Sequence, residues 1–198
     1  VQLLQIDEDS GIIFEPCAGE GIFLDAILER YPETRIDAFE LNETAFHHLE
    51  VKYAAYPNVS LTHGDTLLDL DLALRANAGG YYDRIIANPP YGAWREVAQR
   101  KLLKKHFPGM YVKESYALFL HRCIQLLRPG GRLVFIIPDT WLNLHMHKGL
   151  REQILTETSI EEIALFPSSY FPGVNFGYAD LSIVSLKKNE TKNLKPSA

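Results

Sequence analysis

The sequence predicts an α/β fold: a mostly parallel sheet of seven strands with helices on both faces. Two observations lead there. Short apolar runs bounded by turn residues alternate with apolar spacings of helical period, which implies strands joined by crossover helices. Four polar groups, Glu15, Glu40, Asp65 and Asn88, recur at or just past the ends of successive apolar runs, the edge at which such sheets bind ligands.

The first predicted strand is Gly11 to Glu15. Glu20 to Tyr31 follows as a helix, with apolar residues at Ile22, Phe23, Ala26 and Ile27 and a stop at Pro32. Arg35 to Glu40 is the second strand, and Asn42 caps a helix running to Tyr56. Val59 to His63 is the third strand; Leu67 to Ala78 is helical or irregular and closes at Gly79-Gly80. Asp83 to Ala87 is a short buried strand. Trp94 to His106 and Ser115 to Leu127 are helices separated by Pro108-Gly109, the second ending at Arg128-Pro129-Gly130-Gly131. Arg132 to Ile137 is a strand, His147 to Thr156 a helix, and Ile160 to Phe166 and Ala179 to Leu186 the last strands. With no internal repeat or low-complexity tract, residues 1–198 are expected to form one domain.

A chain of 198 residues can bury a core without disulfides or metal, and 46% hydrophobic with 23% charged residues exclude wholesale disorder. The formal charge of −5 excludes a generally basic nucleic-acid coat, so a polyanion contact must come from a local patch. Arg95, Arg100, Lys101, Lys104, Lys105 and His106 form one, with Lys113 close behind; phosphate contact and a solvated helix face are both open for it. Cys17 and Cys123 are too few for a disulfide scaffold or zinc site and fit a reduced, cytoplasmic setting. No apolar stretch approaches membrane-spanning length, so no membrane partner is expected; the missing initiator methionine suggests an excised segment. No metal site is expected either: His145-Met146-His147 has no acid or cysteine beside it and is assigned to a surface loop.

The run Ile85-Ile86-Ala87 ends abruptly in Asn88-Pro89-Pro90-Tyr91-Gly92. Two prolines can neither continue a central strand nor leave the turn loose, so the Asn88 side-chain oxygen and the Pro89 carbonyl are held as a pair of acceptors beside the Tyr91 ring. Such a pair suits a planar group carrying an NH2, with the ring covering its face. Upstream, Glu15-x-x-x-Gly19-x-Gly21 places two glycines where the backbone must turn before a helix N-terminus. A dinucleotide fingerprint would need glycine or alanine where Leu24 stands, which disfavours phosphate binding and a dehydrogenase.

The Asn-Pro-Pro-Tyr turn resembles the catalytic motif of amino-group methyltransferases that use S-adenosylmethionine. The glycine loop is similar to their first motif, and the order of cofactor loop, Glu40, Asp65 and Asn88–Tyr91 is that of the adenine-N6 DNA methyltransferases of restriction-modification systems. The resemblance continues through Ser115-Tyr116-Ala117-Leu118-Phe119-Leu120, Leu127 to Leu133 and Ile136-Ile137-Pro138-Asp139-Thr140-Trp141-Leu142, and so covers most of the chain. It implies a Rossmann-like class I methyltransferase fold with an antiparallel last strand. It implies S-adenosylmethionine held by Glu15, Pro16, Ala18, Gly19 and Gly21, with Glu40 on the ribose, Asp65 on the adenine amino group and Leu41 packing on the adenine. For Ile22 and Phe23, adenine packing competes with ordinary core packing.

The implied reaction is direct transfer of the cofactor's methyl to the N6 of an adenine flipped out of double-stranded DNA, with Asn88, Pro89, Pro90 and Tyr91 as the catalytic turn. Phe171, then Phe176, are the candidates for a second stacking ring, and Arg95 and Lys101 for backbone contacts. The nearest rival keeps the chemistry but changes the acceptor to a protein glutamine amide or RNA. A rival of another class is an inactive methyltransferase-like assembly subunit. The segment that normally precedes the first motif is reduced to Val1–Ser10 and no separate DNA-reading region follows, so target recognition or a nuclease is expected on a longer polypeptide or a partner.

Overall fold

The computed structural model describes residues 1–7, 10–92, 97–167 and 180–190. In chain order it holds β1 (Ile12–Glu15), α1 (Ile22–Leu28), β2 (Arg35–Glu40), α2 (Glu43–Lys52), β3 (Val59–His63), α3 (Leu70–Asn77) and β4 (Tyr82–Ala87). Then come α4 (Val97–His106), α5 (Ser115–Leu126), β5 (Leu127–Pro138), α6 (Lys148–Glu157), β6 (Thr158–Phe166) and β7 (Leu181–Lys188). The strands form one seven-stranded sheet in the order β3-β2-β1-β4-β5-β7-β6. The first five run parallel, and β7 is antiparallel to both β5 and β6, as the sequence predicts.

The period of two along β1 explains the two-sided burial. Ile13 joins Leu24, Ile27, Ile36 and Leu49 in one core, whereas Ile12 and Phe14 join Tyr82, Phe119 and Leu133 in the other. Phe14 stacks on Tyr82 at 4.3 Å between ring centroids and meets Phe39 edge-on at 5.7 Å, which ties β1, β2 and β4 together below their carboxyl ends. Asn42 caps α2 by accepting from the Ala45 N–H at 2.9 Å, and Asp69 caps α3 by accepting from Leu72 at 2.8 Å.

Two local readings change. The break at Arg128-Pro129-Gly130-Gly131 is part of β5, which begins at Leu127 and pairs with Tyr82 before a register shift; an irregularity of that kind is where a strand tolerates proline. His147 does not lie in a surface loop. It is buried, 1% exposed, and its Nε2 lies 2.9 Å from the Tyr116 hydroxyl and 2.7 Å from a Glu114 oxygen, so neighbours distant in sequence satisfy it.

Candidate active site

Chain direction around the sheet reverses between β1 and β4: β1 leads outward to β2 and β3, β4 to β5 on the other side. The crevice at that switch point lies past the carboxyl ends of the two strands, where Glu15 and Asn88 stand.

The loop leaving β1 is held by β2. The Ala18 N–H donates to the Phe39 carbonyl at 2.8 Å and the Gly19 N–H to Glu40 Oε2 at 2.7 Å, while Asn42 N–H donates to Glu40 Oε1 at 2.7 Å. Both carboxylate oxygens are thereby oriented by the backbone, each with acceptor capacity left. The two glycines differ. Gly19 has φ +55° and open space where a Cβ would stand, whereas a Cβ on Gly21, at φ +81°, would lie 2.4 Å from the Tyr53 hydroxyl.

A cavity of about 570 Å³ opens against this loop. Of the residues singled out from sequence, Pro16, Gly19, Glu40, Leu41, Asp65, Asn88 and Pro90 line it. An adjoining cavity of about 320 Å³ shares Cys17, Gly19 and Asn88 with it and is lined by Glu15 and Ala18. Gly21 lines neither, and serves instead at the N-cap of α1. Ile22, 70% exposed, and Phe23 face the smaller cavity, and Leu41, 57% exposed, the larger. The sequence reading missed Cys17, Glu20, Asn42, Gly64, Thr66, Phe119 and Ile136 as wall residues. Thr66, 2% exposed, donates to the Pro16 carbonyl at 2.6 Å and so fastens the loop from the β3 side.

Across the cavities lies the turn after β4. Pro89 is buried while Asn88 and Pro90 are exposed to the crevice, and the Tyr91 hydroxyl donates to the Asn88 side-chain oxygen. Tyr91 packs on the core, and burial pushes its pKa up to about 12. The turn is anchored at its far end, where the buried Ser115 hydroxyl donates to the Gly92 carbonyl at 2.9 Å. Lys101 is exposed on α4; Arg95, Phe171 and Phe176 lie outside the described residues.

The electrostatics favour a cationic ligand rich in donors. Glu15 is 2% exposed and its Oε2 has no hydrogen-bond partner; burial first, then the charges of Glu40 and Asp25, push its pKa well above the ordinary range. Burial, then Glu15, raise the Cys17 thiol as well, which keeps it neutral. An unpartnered carboxylate oxygen at one end, an oriented carboxylate in the middle and Asp65 at the other fit an ammonium, a pair of ribose hydroxyls and an exocyclic amine. That is the donor set of S-adenosylmethionine, and the open side of Gly19 leaves it room. Among the described residues no group of three or more His, Cys, Asp or Glu is placed to hold a metal, and no helix is long and apolar enough to cross a membrane.

Residues 21–171 match the model of the Eco57I restriction-modification methylase family. The type II methyltransferase M.HincII of Haemophilus influenzae is 30% identical over 92% of this chain and 33% of its own length. M.AccI of Acinetobacter calcoaceticus is 29% identical over 76% of this chain and 28% of its own. The chain thus spans about a third of the length of these curated relatives. A solved structure from Listeria monocytogenes, assigned to the class I S-adenosylmethionine-dependent methyltransferases, superposes with a TM-score of 0.72 at 19% identity, over 99% of this chain and 58% of that one. The fold is that of the class I methyltransferases, as expected.

Proposed function

Since the chain belongs to the Eco57I restriction-modification methylase family, we propose that it moves the methyl group of S-adenosylmethionine to the N6 amino group of an adenine in double-stranded DNA. The observation that carries this reading is that Asn88 and Pro90 wall the same cavity as Gly19, Glu40 and Asp65, so the rigid turn faces the cofactor site.

Bound there, S-adenosylmethionine supplies an electrophilic methyl carbon. The residues of the chain do the rest. Glu15 would give up its proton to pair with the methionine ammonium, Glu40 would accept from the ribose hydroxyls, and Asp65 would accept from the adenine amine while Leu41 would cover its ring. The adenine N6 lone pair is delocalised into its ring, so attack requires the nitrogen to become pyramidal. Acceptors at the Asn88 side chain and the Pro89 carbonyl favour that geometry, and they bind more strongly as the nitrogen gains positive charge. Asparagine is no base, so the proton leaves after transfer. A paired base cannot reach the turn; the target flips out and stacks on Tyr91. The incoming amine then competes with the Tyr91 hydroxyl for the Asn88 oxygen.

DNA is favoured over a glutamine amide by α4, which presents Lys101, Lys104 and Lys105 as exposed cations within five residues. We assign choice of DNA sequence, and any nuclease, to a longer polypeptide or a partner, in keeping with a chain that spans about a third of the length of these relatives. The test is transfer of labelled methyl to duplex DNA, RNA or a release-factor-like protein, followed by nucleoside analysis. The expected product is N6-methyladenine in DNA, with Asn88→Ala lowering kcat by at least about 100-fold. Label in protein or RNA alone, or full activity of Asn88→Ala, would overturn the reading.

A further inference from the structure

The glycine loop is gripped by side chains that line neither cavity. Lys52 and Tyr53, consecutive at the end of α2, hold consecutive carbonyls of the loop: Lys52 Nζ donates to Glu20 at 3.0 Å, and the Tyr53 hydroxyl lies 2.8 Å from the Gly21 oxygen. Asp25, in the first turn of α1, joins the two. Its Oδ2 accepts from Lys52 Nζ at 2.6 Å and its Oδ1 lies 2.7 Å from the Tyr53 hydroxyl, whose single proton is shared between this oxygen and the Gly21 carbonyl. Tyr53 is 4% exposed, and burial, then Asp25, raise its pKa, so the hydroxyl stays a donor. The same hydroxyl occupies the space where a side chain on Gly21 would begin.

None of Asp25, Lys52 and Tyr53 lines either cavity. Yet α2 follows β2 through Leu41 and Asn42 alone, so the strand whose last residue is Glu40 continues into the helix that clamps the loop. The loop is thus held between Glu40, which accepts from Gly19, and Tyr53, which closes on Gly21, and its shape depends on both.

We infer that Tyr53 and Lys52, with Asp25, are positioning residues that set the glycine loop for the methionine end of the cofactor, an inference that rests on the reading of the cavity as an S-adenosylmethionine site. They act through the backbone of Glu20 and Gly21 and touch no ligand atom. Loss of one of these hydrogen bonds therefore weakens ligands that reach the loop and spares those that reach only Glu40 and Asp65.

The experiment compares S-adenosylhomocysteine with adenosine, which lacks the amino-acid end, by titration calorimetry on the full chain well below its unfolding temperature. Tyr53→Phe keeps the ring and removes only the hydroxyl; Lys52→Met and Asp25→Asn test the other members. The expected result is an S-adenosylhomocysteine Kd raised about fivefold in Tyr53→Phe, the equivalent of one hydrogen bond, with the adenosine Kd unchanged. At saturating cofactor kcat should hold while the cofactor KM rises. Equal weakening of both ligands would mean general loosening and would overturn the inference, as would an unchanged S-adenosylhomocysteine Kd in all three variants. Wild-type chain that binds neither ligand would remove the cofactor reading and the inference with it.

Discussion

The Tyr91 hydroxyl donates to the side-chain oxygen of Asn88, so the turn assigned to catalysis satisfies its own acceptor before any substrate arrives. The two parts of Tyr91 then have opposite effects. Its ring offers a stacking face, whereas its hydroxyl competes with the incoming amine. Tyr91→Phe keeps the face and frees the oxygen, and is expected to hold kcat within about threefold of wild type. Tyr91→Ala loses a stack worth roughly 1–3 kcal/mol and is expected to raise the KM for DNA about tenfold or more. Steady-state kinetics on one duplex substrate measure both. Equal losses in the two variants would show that the hydroxyl, not the ring, matters.

The two loop glycines separate a ligand effect from a folding effect. Both have positive φ, which alone makes a β-carbon cost about 1 kcal/mol. Gly21→Ala adds a collision with Tyr53, whose ring is packed and cannot retreat, so its unfolding temperature should fall clearly further than that of Gly19→Ala. Gly19→Ala meets nothing and keeps more of its stability, but its methyl projects at the cavity wall and should weaken S-adenosylhomocysteine binding. Thermal melts with and without that ligand check both halves.

That contrast also marks the limit of the sequence. Glycine spacing reports that the backbone turns, and it cannot say that Gly21 is required by a tyrosine 32 residues away. Glu15, Glu40, Asp65 and Asn88 were visible because each stands at or just past a strand end, a local event. Phe119 was not, since an aromatic on the buried face of α5 has the same spacing whether or not one edge meets a cavity. Pro129-Gly130-Gly131 has the composition of a break, and only pairing with β4 makes it strand. His147 reads as a surface-loop residue because no acid or cysteine stands beside it in sequence, while the groups that satisfy it, Glu114 and Tyr116, come from the start of α5.

The lysines of α4 predict a salt dependence out of keeping with an acidic chain. Each phosphate neutralised contributes about 0.9 to the slope of log K against log salt concentration. Replacing Lys101, Lys104 and Lys105 together by alanine should weaken DNA binding and flatten that slope by about 2 to 3 if all three meet phosphates. The side chains are exposed, so the unfolding temperature should hardly move. An unaltered slope would return this face to the solvent.

Glu15 predicts opposite changes in stability and binding. Its folded pKa lies well above the ordinary 4.5, because the site is buried and faces the charges of Glu40 and Asp25. Below that ordinary value the carboxyl is neutral folded or unfolded. Above it the unfolded chain ionises first while the folded chain keeps the proton, so stability falls as pH rises through the window up to the folded pKa and then levels off. Glu15→Gln removes this loss, so the melting temperature of the variant relative to wild type should rise from pH 4 towards neutrality. In the proposed site the ligand's ammonium draws Glu15 into its charged form, which Glu15→Gln cannot adopt. S-adenosylhomocysteine should therefore bind Glu15→Gln more weakly and raise its melting temperature less. A variant more stable at neutral pH that binds the ligand as tightly as wild type would make Glu15 a feature of the fold alone.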